Sequence, residues 1–246
     1  MVPRVYAPAL TPATSSLELP SDEADHLARV LRVRPGDTVR VFNGQGLECE
    51  ASVARAAKHA VAVEVRRFVP AARECRVRVT LAQALLKGDK FDSLIRDAVM
   101  LGITAVRPLL TARVDVPATA FGSGGRVERW RRIAVSSVKQ CGRAVVPEVG
   151  PPMSLADCLA ADHSDVRVLL AEPAACQGEG LDALPAGPAV SSALVLVGPE
   201  GGWAPDEVAD AMRHGAVVVT LGRRTLRADA TALVALSVLL HLWGDL

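Results

Sequence analysis

The sequence predicts an α/β protein in which a small β-rich domain precedes a larger domain built on a parallel sheet. Two patterns of hydrophobic periodicity support this fold class. Residues 38–69 alternate apolar and polar side chains in short runs separated by turn signals, which is typical of half-buried β-strands. From residue 76 onward, continuously apolar runs alternate with helical patterns, which is typical of a parallel sheet covered by helices on both faces.

The β-rich part contains three predicted strands preceded by a short helix. The strands cover residues 38–42, 47–53 and 60–68, and residues 43–46 form a turn signal. The helix covers residues 25–33 and is expected to end before Pro35 and Gly36, because neither residue continues a helix well. We expect a small antiparallel barrel or sheet, followed by a linker at residues 70–74.

The larger part alternates strands and helices to the end of the chain. Apolar strands are predicted at residues 77–82, 103–109, 166–170, 193–197 and 216–221. Helices are predicted at residues 90–101, 127–141, 205–214 and 228–243. Open parallel sheets bind ligands beyond the carboxyl ends of their strands, so the loops there are the first candidates for a functional site.

The overall charge conceals an uneven distribution. The 246 residues include 28 basic and 27 acidic side chains, and half of them are hydrophobic, so the chain can bury a sizeable core. However, residues 1–150 carry 23 basic and 15 acidic side chains, whereas residues 151–246 carry 5 and 12. The basic first part keeps nucleic acid as a candidate partner.

The cysteines and the apolar segments indicate a reducing compartment. Cys49, Cys75, Cys141, Cys158 and Cys176 are scattered and form no C-x-x-C pair, which argues against a disulfide framework or a structural zinc site. Prolines interrupt the N-terminus where a signal peptide would be apolar, and the most apolar stretch, residues 228–243, is too short to span a bilayer. We expect a cytoplasmic protein without a membrane segment or a metal.

A glycine-rich loop follows the predicted strand at residues 193–197. Gly198, Gly201 and Gly202 would let a ligand approach the backbone closely. The carboxylate of Glu200 would repel phosphate, so a cationic or hydroxyl-bearing ligand suits this loop better. A plain turn before a helix is the alternative. The G-x-G-x-x-G and P-loop signatures are absent, which disfavours an ordinary Rossmann enzyme.

Two clusters of cations also require a partner. Arg223, Arg224 and Arg227 precede an apolar helix, where the helix dipole opposes them, so an anion or an RNA backbone is expected beside them. The second cluster lies on the predicted helix at residues 127–141 and just outside its ends, where Glu128 is the only acidic neighbour. Its members are Arg126, Arg129, Arg131, Arg132, Lys139 and Arg143. They predict a basic stripe for phosphates, and solvated charge is the alternative for both clusters.

Taken together, the motifs resemble a known family. Residues 196–202 (LVGPEGG) and 221–233 (LGRRTLRADATAL) are similar to the C-terminal motifs of the RsmE-type 16S ribosomal RNA uridine-N3 methyltransferases, members of the SPOUT (α/β-knot) superfamily. Further matches occur in the same order along the chain. They are residues 3–6 (PRVY), 26–37 (HLARVLRVRPGD), 42–46 (FNGQG), 87–90 (KGDK), 101–104 (LGIT) and 140–148 (QCGRAVVPE).

The resemblance implies an α/β fold with two domains. Residues 1–72 would form a PUA-like β-barrel that binds RNA, and residues 73–246 a trefoil-knotted, parallel-sheet SPOUT methyltransferase domain. It also implies an obligate homodimer that uses S-adenosylmethionine (SAM) and no metal. The substrate would be 16S rRNA in the small ribosomal subunit, methylated at N3 of the uridine conventionally numbered 1498.

The resemblance also implies a set of site residues. SAM would be held by Leu170, Glu172, Leu196, Val197, Gly198, Glu200, Gly201, Gly202, Leu221, Gly222, Leu226 and Arg227. Arg143 and Arg227 would be catalytic, because uracil N3 must lose its proton and cations stabilise the charge that spreads onto O2 and O4. RNA contacts are expected from Arg4, His26, Arg29, Arg32, Arg129, Arg132, Gln140 and Arg143.

Several positions depart from the family pattern. Residues 226–230 read LRADA where the family usually has LRTET, so Ala228 and Ala230 lack hydroxyls and Asp229 has a shorter acidic arm. Asp97 and Met100 also replace the lysine and glutamate usual in the first knot-domain helix. Two other functions remain open from the sequence. One is a SPOUT methyltransferase with a different RNA target, and the other is a non-catalytic RNA-binding module.

Overall fold

The computed structural model describes residues 2–115, 124–173 and 180–246. Its contacts divide the chain into two compact units. The first comprises Met1–Glu74 with Val135–Val146, and the second comprises Cys75–Ala134 with Pro147–Leu246. No periodicity in the sequence indicates the grouping of residues 135–146 with the first unit, because they continue a helical pattern that begins in the second.

The first unit contains a five-stranded sheet. Its strands are β1 (Arg4–Tyr6), β2 (Ser16–Glu18), β3 (Thr38–Phe42), β4 (Glu48–Ala57) and β5 (Ala60–Val69). The order is β1-β3-β4-β5-β2, with β1 parallel to β3 and the other neighbours antiparallel. The three predicted strands are confirmed. β1 and β2 have three residues each, too few for a period-two pattern to be visible.

The helix predicted over residues 25–33 differs from the observed helical segment in its bounds and its geometry. The structure has a short helix, α1 (Ser21–Asp25), followed by a π-helical turn at His26–Leu31. The turn ends at Arg32, whose φ of 55° is left-handed and whose backbone N–H donates to the Leu27 carbonyl. The start was missed because Pro20 and the acidic residues after it precede the apolar pattern. Propensity also cannot distinguish a π-turn from an α-turn.

The second unit is built on a seven-stranded sheet in which every pair of neighbouring strands is parallel. Its strands are β6 (Arg78–Ala84), β7 (Ala105–Leu110), β8 (Glu148–Val149), β9 (Met153–Ser154), β10 (Val166–Leu170), β11 (Ser192–Val197) and β12 (Ala216–Val219). Its helices are α2 (Lys90–Met100), α3 (Gly125–Cys141), α4 (Leu155–Ala161), α5 (Pro205–Arg213) and α6 (Ala228–Leu242), α3 continuing into the first unit. The five long strands and four long helices were predicted, and the parallel sheet is confirmed.

The strand order brings three loops to one edge of the second sheet. The order is β12-β10-β11-β6-β7-β8, with β9 also pairing with β7. Because β10, β11 and β12 are parallel neighbours, their carboxyl ends lie at the same edge. The chain continues from β6 to β7 on one side of the sheet and from β11 to β12 on the other, and such a switch point in the strand order is where open parallel sheets bind ligands.

The described residues include the predicted helices and four of the five cysteines. None of the helices there is long and apolar enough to cross a membrane. Cys49, Cys75, Cys141 and Cys158 are free thiols, and Cys176 lies outside the described residues. Burial raises the pKa of Cys158 to about 11, with Asp162 acting in the same direction, so this thiol is unreactive at neutral pH.

Candidate active site

A cavity of about 740 Å³ lies where the loops after β10, β11 and β12 meet. Its lining comes mainly from residues 170–173, 197–205 and 221–228. Small-molecule sites commonly have volumes of roughly 300–1,000 Å³ and occur at this edge of parallel sheets. The cavity is therefore the candidate active site.

The predicted SAM-binding residues converge on this cavity. Those that line it are Leu170, Glu172, Val197, Gly198, Glu200, Gly201, Gly202, Leu221, Leu226 and Arg227. Leu196 does not line it, because its side chain points into the core and is fully buried. Gly222 lies on the same loop as Leu221 with a positive φ of 78°, outside the lining.

The glycine-rich loop depends on the absence of side chains. A Cβ on Gly201 would lie 3.0 Å from Cβ and 3.2 Å from the carbonyl oxygen of Arg113. Gly202 has a φ of 69°, a left-handed conformation that other residues seldom adopt. These contacts give a physical reason for glycine where the sequence indicated only a close backbone approach.

Trp203 joins two of the three loops. Its buried indole N–H donates to the carbonyl oxygen of Leu170 at 2.9 Å, which links the loop after β11 to the end of β10. A Cβ on Gly198 would lie 3.2 Å from the indole ring. Trp203 was missed among the site residues, although a large aromatic beside paired glycines is a signal in the sequence.

Charged groups of both signs line the cavity. Glu200 accepts a hydrogen bond from Lys90 Nζ at 2.7 Å, and Arg113 donates to the carbonyl oxygen of Gly201 at 3.1 Å. Partial burial acts to raise the pKa of Glu200. The hydrogen bond and charge of Lys90, with backbone N–H groups, nevertheless hold that pKa below its ordinary value. Neither Lys90 nor Arg113 was predicted as a site residue.

The arginines of the last loop are exposed at the cavity. Arg224 and Arg227 belong to its lining. The side chain of Arg227 is 72% exposed and lies 3.3 Å from the carboxylate of Asp229. Arg223 is also exposed. The structure therefore places Arg227 where the sequence expected it, with a guanidinium accessible to a ligand.

Arg143, the other predicted catalytic residue, belongs to the first unit and does not line this cavity. Its side chain is 7% exposed, and its guanidinium pairs with Glu74, with Nε donating to Oε2 at 2.9 Å. Glu74 comes from the predicted linker, about seventy residues earlier in the chain. Arg143 therefore has a structural partner that its local sequence does not indicate.

The predicted RNA-binding residues fall into two groups. His26, Arg29, Arg32, Arg132 and Gln140 are exposed, the first three on or beside the π-helical turn. Arg4 and Arg143 are engaged in internal contacts, and Arg129 is exposed but paired.

Arg4 holds the end of α3 within the first unit. It pairs with the buried carboxylate of Glu48 at 2.9 Å and donates to the carbonyl oxygens of Val138 and Arg143, each at 2.9 Å. The aromatic ring of Phe42 lies 4.8 Å from its guanidinium carbon. The guanidinium of Arg4 is thus used to hold the turn after α3.

The expectation that Glu128 alone opposes the α3 cations is wrong. Asp92 pairs with Arg129 at 2.6 Å, and Glu23 pairs with Lys139 at 2.7 Å. Arg143 pairs with Glu74. These acids come from distant parts of the sequence, so counting charges along the helix could not reveal them. The predicted stripe is largely a set of ion pairs, and Arg132 stays exposed on it.

The proteins to which this chain is similar indicate an RNA methyltransferase. A family model described as an RNA methyltransferase domain matches residues 73–240, and one described as an RNA methyltransferase PUA domain matches residues 19–66. Two relatives named ribosomal RNA small subunit methyltransferase E, from Bacillus subtilis and Synechocystis, are 30% and 32% identical. The first alignment covers 91% of this chain and 89% of the relative, and the second covers 91% and 72%.

A solved structure agrees over the whole chain. The ribosomal RNA small subunit methyltransferase E of Neisseria gonorrhoeae, bound to SAM, has a TM-score of 0.90 and 31% identity, with 100% of this chain and 99% of that chain covered. The present chain belongs to the ribosomal RNA small subunit methyltransferase E family. The α/β fold with a PUA domain at the N-terminus is thereby confirmed.

Proposed function

We propose that this protein transfers a methyl group from SAM to N3 of a uridine in 16S rRNA, at the position conventionally numbered 1498. The observation that carries the proposal is the convergence of nearly all the expected donor-binding residues on one cavity. The SAM-bound relative from Neisseria gonorrhoeae supports the choice of donor. The matches at residues 19–66 and 73–240 support domains at residues 1–72 and 73–246.

The residues of the cavity fit SAM. Leu170, Val197 and Leu226 offer apolar surface for the adenine ring, and the glycine-rich loop leaves the backbone accessible. The carboxylates of Glu172 and Glu200 suit a donor that carries a positive sulfonium. SAM supplies the electrophilic methyl group when it is bound there.

We propose that the side chains of this protein act on the substrate by electrostatic stabilisation. Uracil N3 carries a proton at neutral pH, so its nucleophilic form is the anion. Arg227 lines the cavity with an exposed guanidinium, and we assign it the stabilisation of negative charge on O2 or O4. Arg143, the other predicted catalytic arginine, is largely buried, pairs with Glu74 and does not line the cavity, so the proposal rests on Arg227.

RNA contacts are proposed on both units. In the first unit the exposed His26, Arg29 and Arg32 present positive or hydrogen-bonding groups, and Gln140 is exposed as well. Arg4 and Arg143 support that surface from within. In the second unit Arg129 and Arg132 are exposed on α3. The lining cations Lys90, Arg113 and Arg224 add positive charge at the cavity for phosphates.

The assembly, the knot and the location of the protein also belong to this proposal. We assign a trefoil knot to residues 73–246 and a homodimer to the protein, on the family resemblance. On the same resemblance, we propose the apolar helix α6 as an element of the interface with a second copy. A substrate in the small ribosomal subunit places the enzyme in the cytoplasm.

The decisive experiment compares ribosomal RNA with and without this protein. Methylation at N3 blocks the Watson–Crick edge, so reverse transcription stops at the modified uridine. A stop that is present in the parent and absent in a deletion strain supports the proposal, and the same stop in both strains excludes it. Calorimetry with SAM separates the alternatives. Saturable binding without the 16S mark indicates another RNA target, and no saturable heat indicates a non-catalytic RNA-binding module.

A further inference from the structure

A fully buried amide lies next to the glycine-rich loop of the cavity. Gln83 is on β6, in register with Val197 at the end of β11, and its side chain has no solvent exposure. Glutamine is seldom buried completely, because its amide loses hydrogen bonds to water unless protein groups replace them. The surroundings of Gln83 therefore need a specific explanation.

The two N–H groups of Gln83 Nε2 face three carbonyl oxygens, two of which belong to residues where the loop leaves β11. Its Nε2 lies 3.2 Å from the carbonyl oxygen of Gly198, 3.4 Å from that of Val197 and 3.1 Å from that of Ala84. Carbonyl oxygens only accept hydrogen bonds, so these neighbours fix the amide with its nitrogen toward them. Within the described residues, Gln83 Oε1 has no hydrogen-bond partner.

Gly198 is held from a second side by Trp203. The indole ring lies 3.2 Å from the point where a Cβ of Gly198 would be, and its N–H donates to the carbonyl oxygen of Leu170. The carbonyl of Gly198 is thus fixed by Gln83, and its Cα is covered by Trp203. Two side chains, those of Gln83 and Trp203, therefore contact the backbone where the cavity loop leaves β11.

We propose that Gln83 is a positioning residue for the donor site, which fixes the Val197 and Gly198 carbonyls so that the loop is formed before SAM binds. The proposal rests on the proposed function, since it takes SAM as the ligand. Preorganised loops bind more tightly because less ordering is needed on association. A side chain that only filled space could be replaced there by an apolar one of similar volume.

The first test is Gln83→Met, which keeps the length of the side chain and removes the amide. We expect the Kd for SAM, measured by calorimetry, to rise about tenfold, the factor that one buried hydrogen bond is worth. Amide hydrogen exchange of Gly198, Glu200, Gly201 and Gly202 should become faster in the absence of SAM. The control is Leu81→Met, a fully buried position on the same strand without a polar group, which should leave both measurements unchanged.

The second test is Gln83→Glu. It keeps the proposal testable if the Gln83→Met variant does not fold. An ionised carboxylate cannot donate to the Gly198 carbonyl, whereas a protonated carboxyl can donate one hydrogen bond. Burial raises the pKa of a carboxyl, so SAM affinity of this variant should recover as the pH falls, relative to wild type. A merely structural role would not produce that pH profile.

Failure of the positioning role of Gln83 can be distinguished from failure of the proposed function. If wild-type protein does not bind SAM, the proposed function fails, and the exchange rates of the Gly198, Glu200, Gly201 and Gly202 amides still decide whether Gln83 orders the loop. If wild type and Gln83→Met bind SAM equally and exchange at equal rates, the positioning role is excluded. A Gln83→Glu variant whose affinity still follows the wild-type pH profile up to about pH 10, above the pKa of even a fully buried glutamate, would exclude it as well.

Discussion

The cavity of the second unit and the cations of helix α3 use the same residue types in opposite ways. At the cavity, Arg224 and Arg227 are exposed, and the only carboxylate that pairs with Arg227 within the described residues is its near neighbour Asp229. On α3 and the turn after it, Arg129, Lys139 and Arg143 each meet an acid from a distant part of the chain.

The difference shows how to interpret a run of cations in a sequence. A cluster that looks uncompensated along one helix can be neutralised by acids that the fold delivers, and it then holds the structure together. Cations that remain exposed beside a cavity are the ones available to a ligand.

The largest effect is expected at the backbone of the cavity. Gly201→Val introduces a branched side chain where a Cβ alone would lie 3.2 Å from the Arg113 carbonyl oxygen. Overpacking of this kind costs up to ~3 kcal/mol, so SAM affinity measured by calorimetry should fall by about 100-fold. Gly150→Val is the control, because Gly150 does not line the cavity and its nearest neighbour is the end of the Arg107 side chain. Wild-type affinity in Gly201→Val would mean that SAM binds elsewhere.

The cavity was predictable because its determinants are local. Gly198, Gly201, Gly202 and Leu226 lie in loops that directly follow strands, and the parallel-sheet rule places such loops at one edge. The supports of the cavity were not predictable in this way. Gln83 lies on a different strand from the loop it contacts, and the glutamine in the sequence carries no sign of its burial.

In the fold, too, elements that depend on local sequence were predictable, and elements that depend on distant contacts were not. The long strands and helices follow from periodicity, whereas β8 and β9 have two residues each and depend on pairing with β7. Tertiary contacts also determine the ion pairs of α3. Glu23 and Asp92 are more than thirty residues away from their partners in the sequence, so no window of local sequence contains both members of a pair.

The second prediction tests whether the α3 ion pairs are structural. Arg143→Ala leaves the carboxylate of Glu74 without its main partner in a largely buried position, and breaking such a pair typically costs about 3 kcal/mol of unfolding free energy. Denaturant unfolding measures this loss. In a double-mutant cycle with Glu74→Ala, the two losses should not be additive. A change below about 0.5 kcal/mol would place Arg143 with the free surface cations instead.

The third prediction addresses the exposed cations. Arg224→Ala should leave the unfolding free energy within about 0.5 kcal/mol of wild type, because its side chain is exposed. It should weaken RNA binding and reduce the slope of log affinity against log salt by about 1, the value of one phosphate contact. Arg213→Ala removes another exposed arginine of the same unit, outside the cavity lining, and should leave the slope unchanged. Equal slopes for Arg224→Ala and wild type would remove Arg224 from the RNA surface.

The smallest effect concerns the ion pair between Lys90 and Glu200, which lies at the cavity but is partly exposed. Its stabilisation should be below about 1 kcal/mol, as for other solvent-accessible pairs. The pKa of Glu200 is lower in the folded protein than its ordinary value. The stabilisation is therefore complete above about pH 4.3, the pKa of an unperturbed glutamate, and is lost as the pH falls through the lower folded pKa.

Unfolding free energies of wild type and Glu200→Gln, compared between neutral pH and about pH 3, measure this loss. The difference between the two proteins should be constant at neutral pH and shrink only in the acidic part of the range. The same comparison in a Lys90→Gln background should show a smaller change, because the hydrogen bond and charge of Lys90 lower the pKa of Glu200 together with the backbone N–H groups. If the change is as large without Lys90, the backbone N–H groups of the loop, rather than the ion pair, stabilise the carboxylate. The charge of Glu200 would then be fixed by the same loop backbone that forms the cavity.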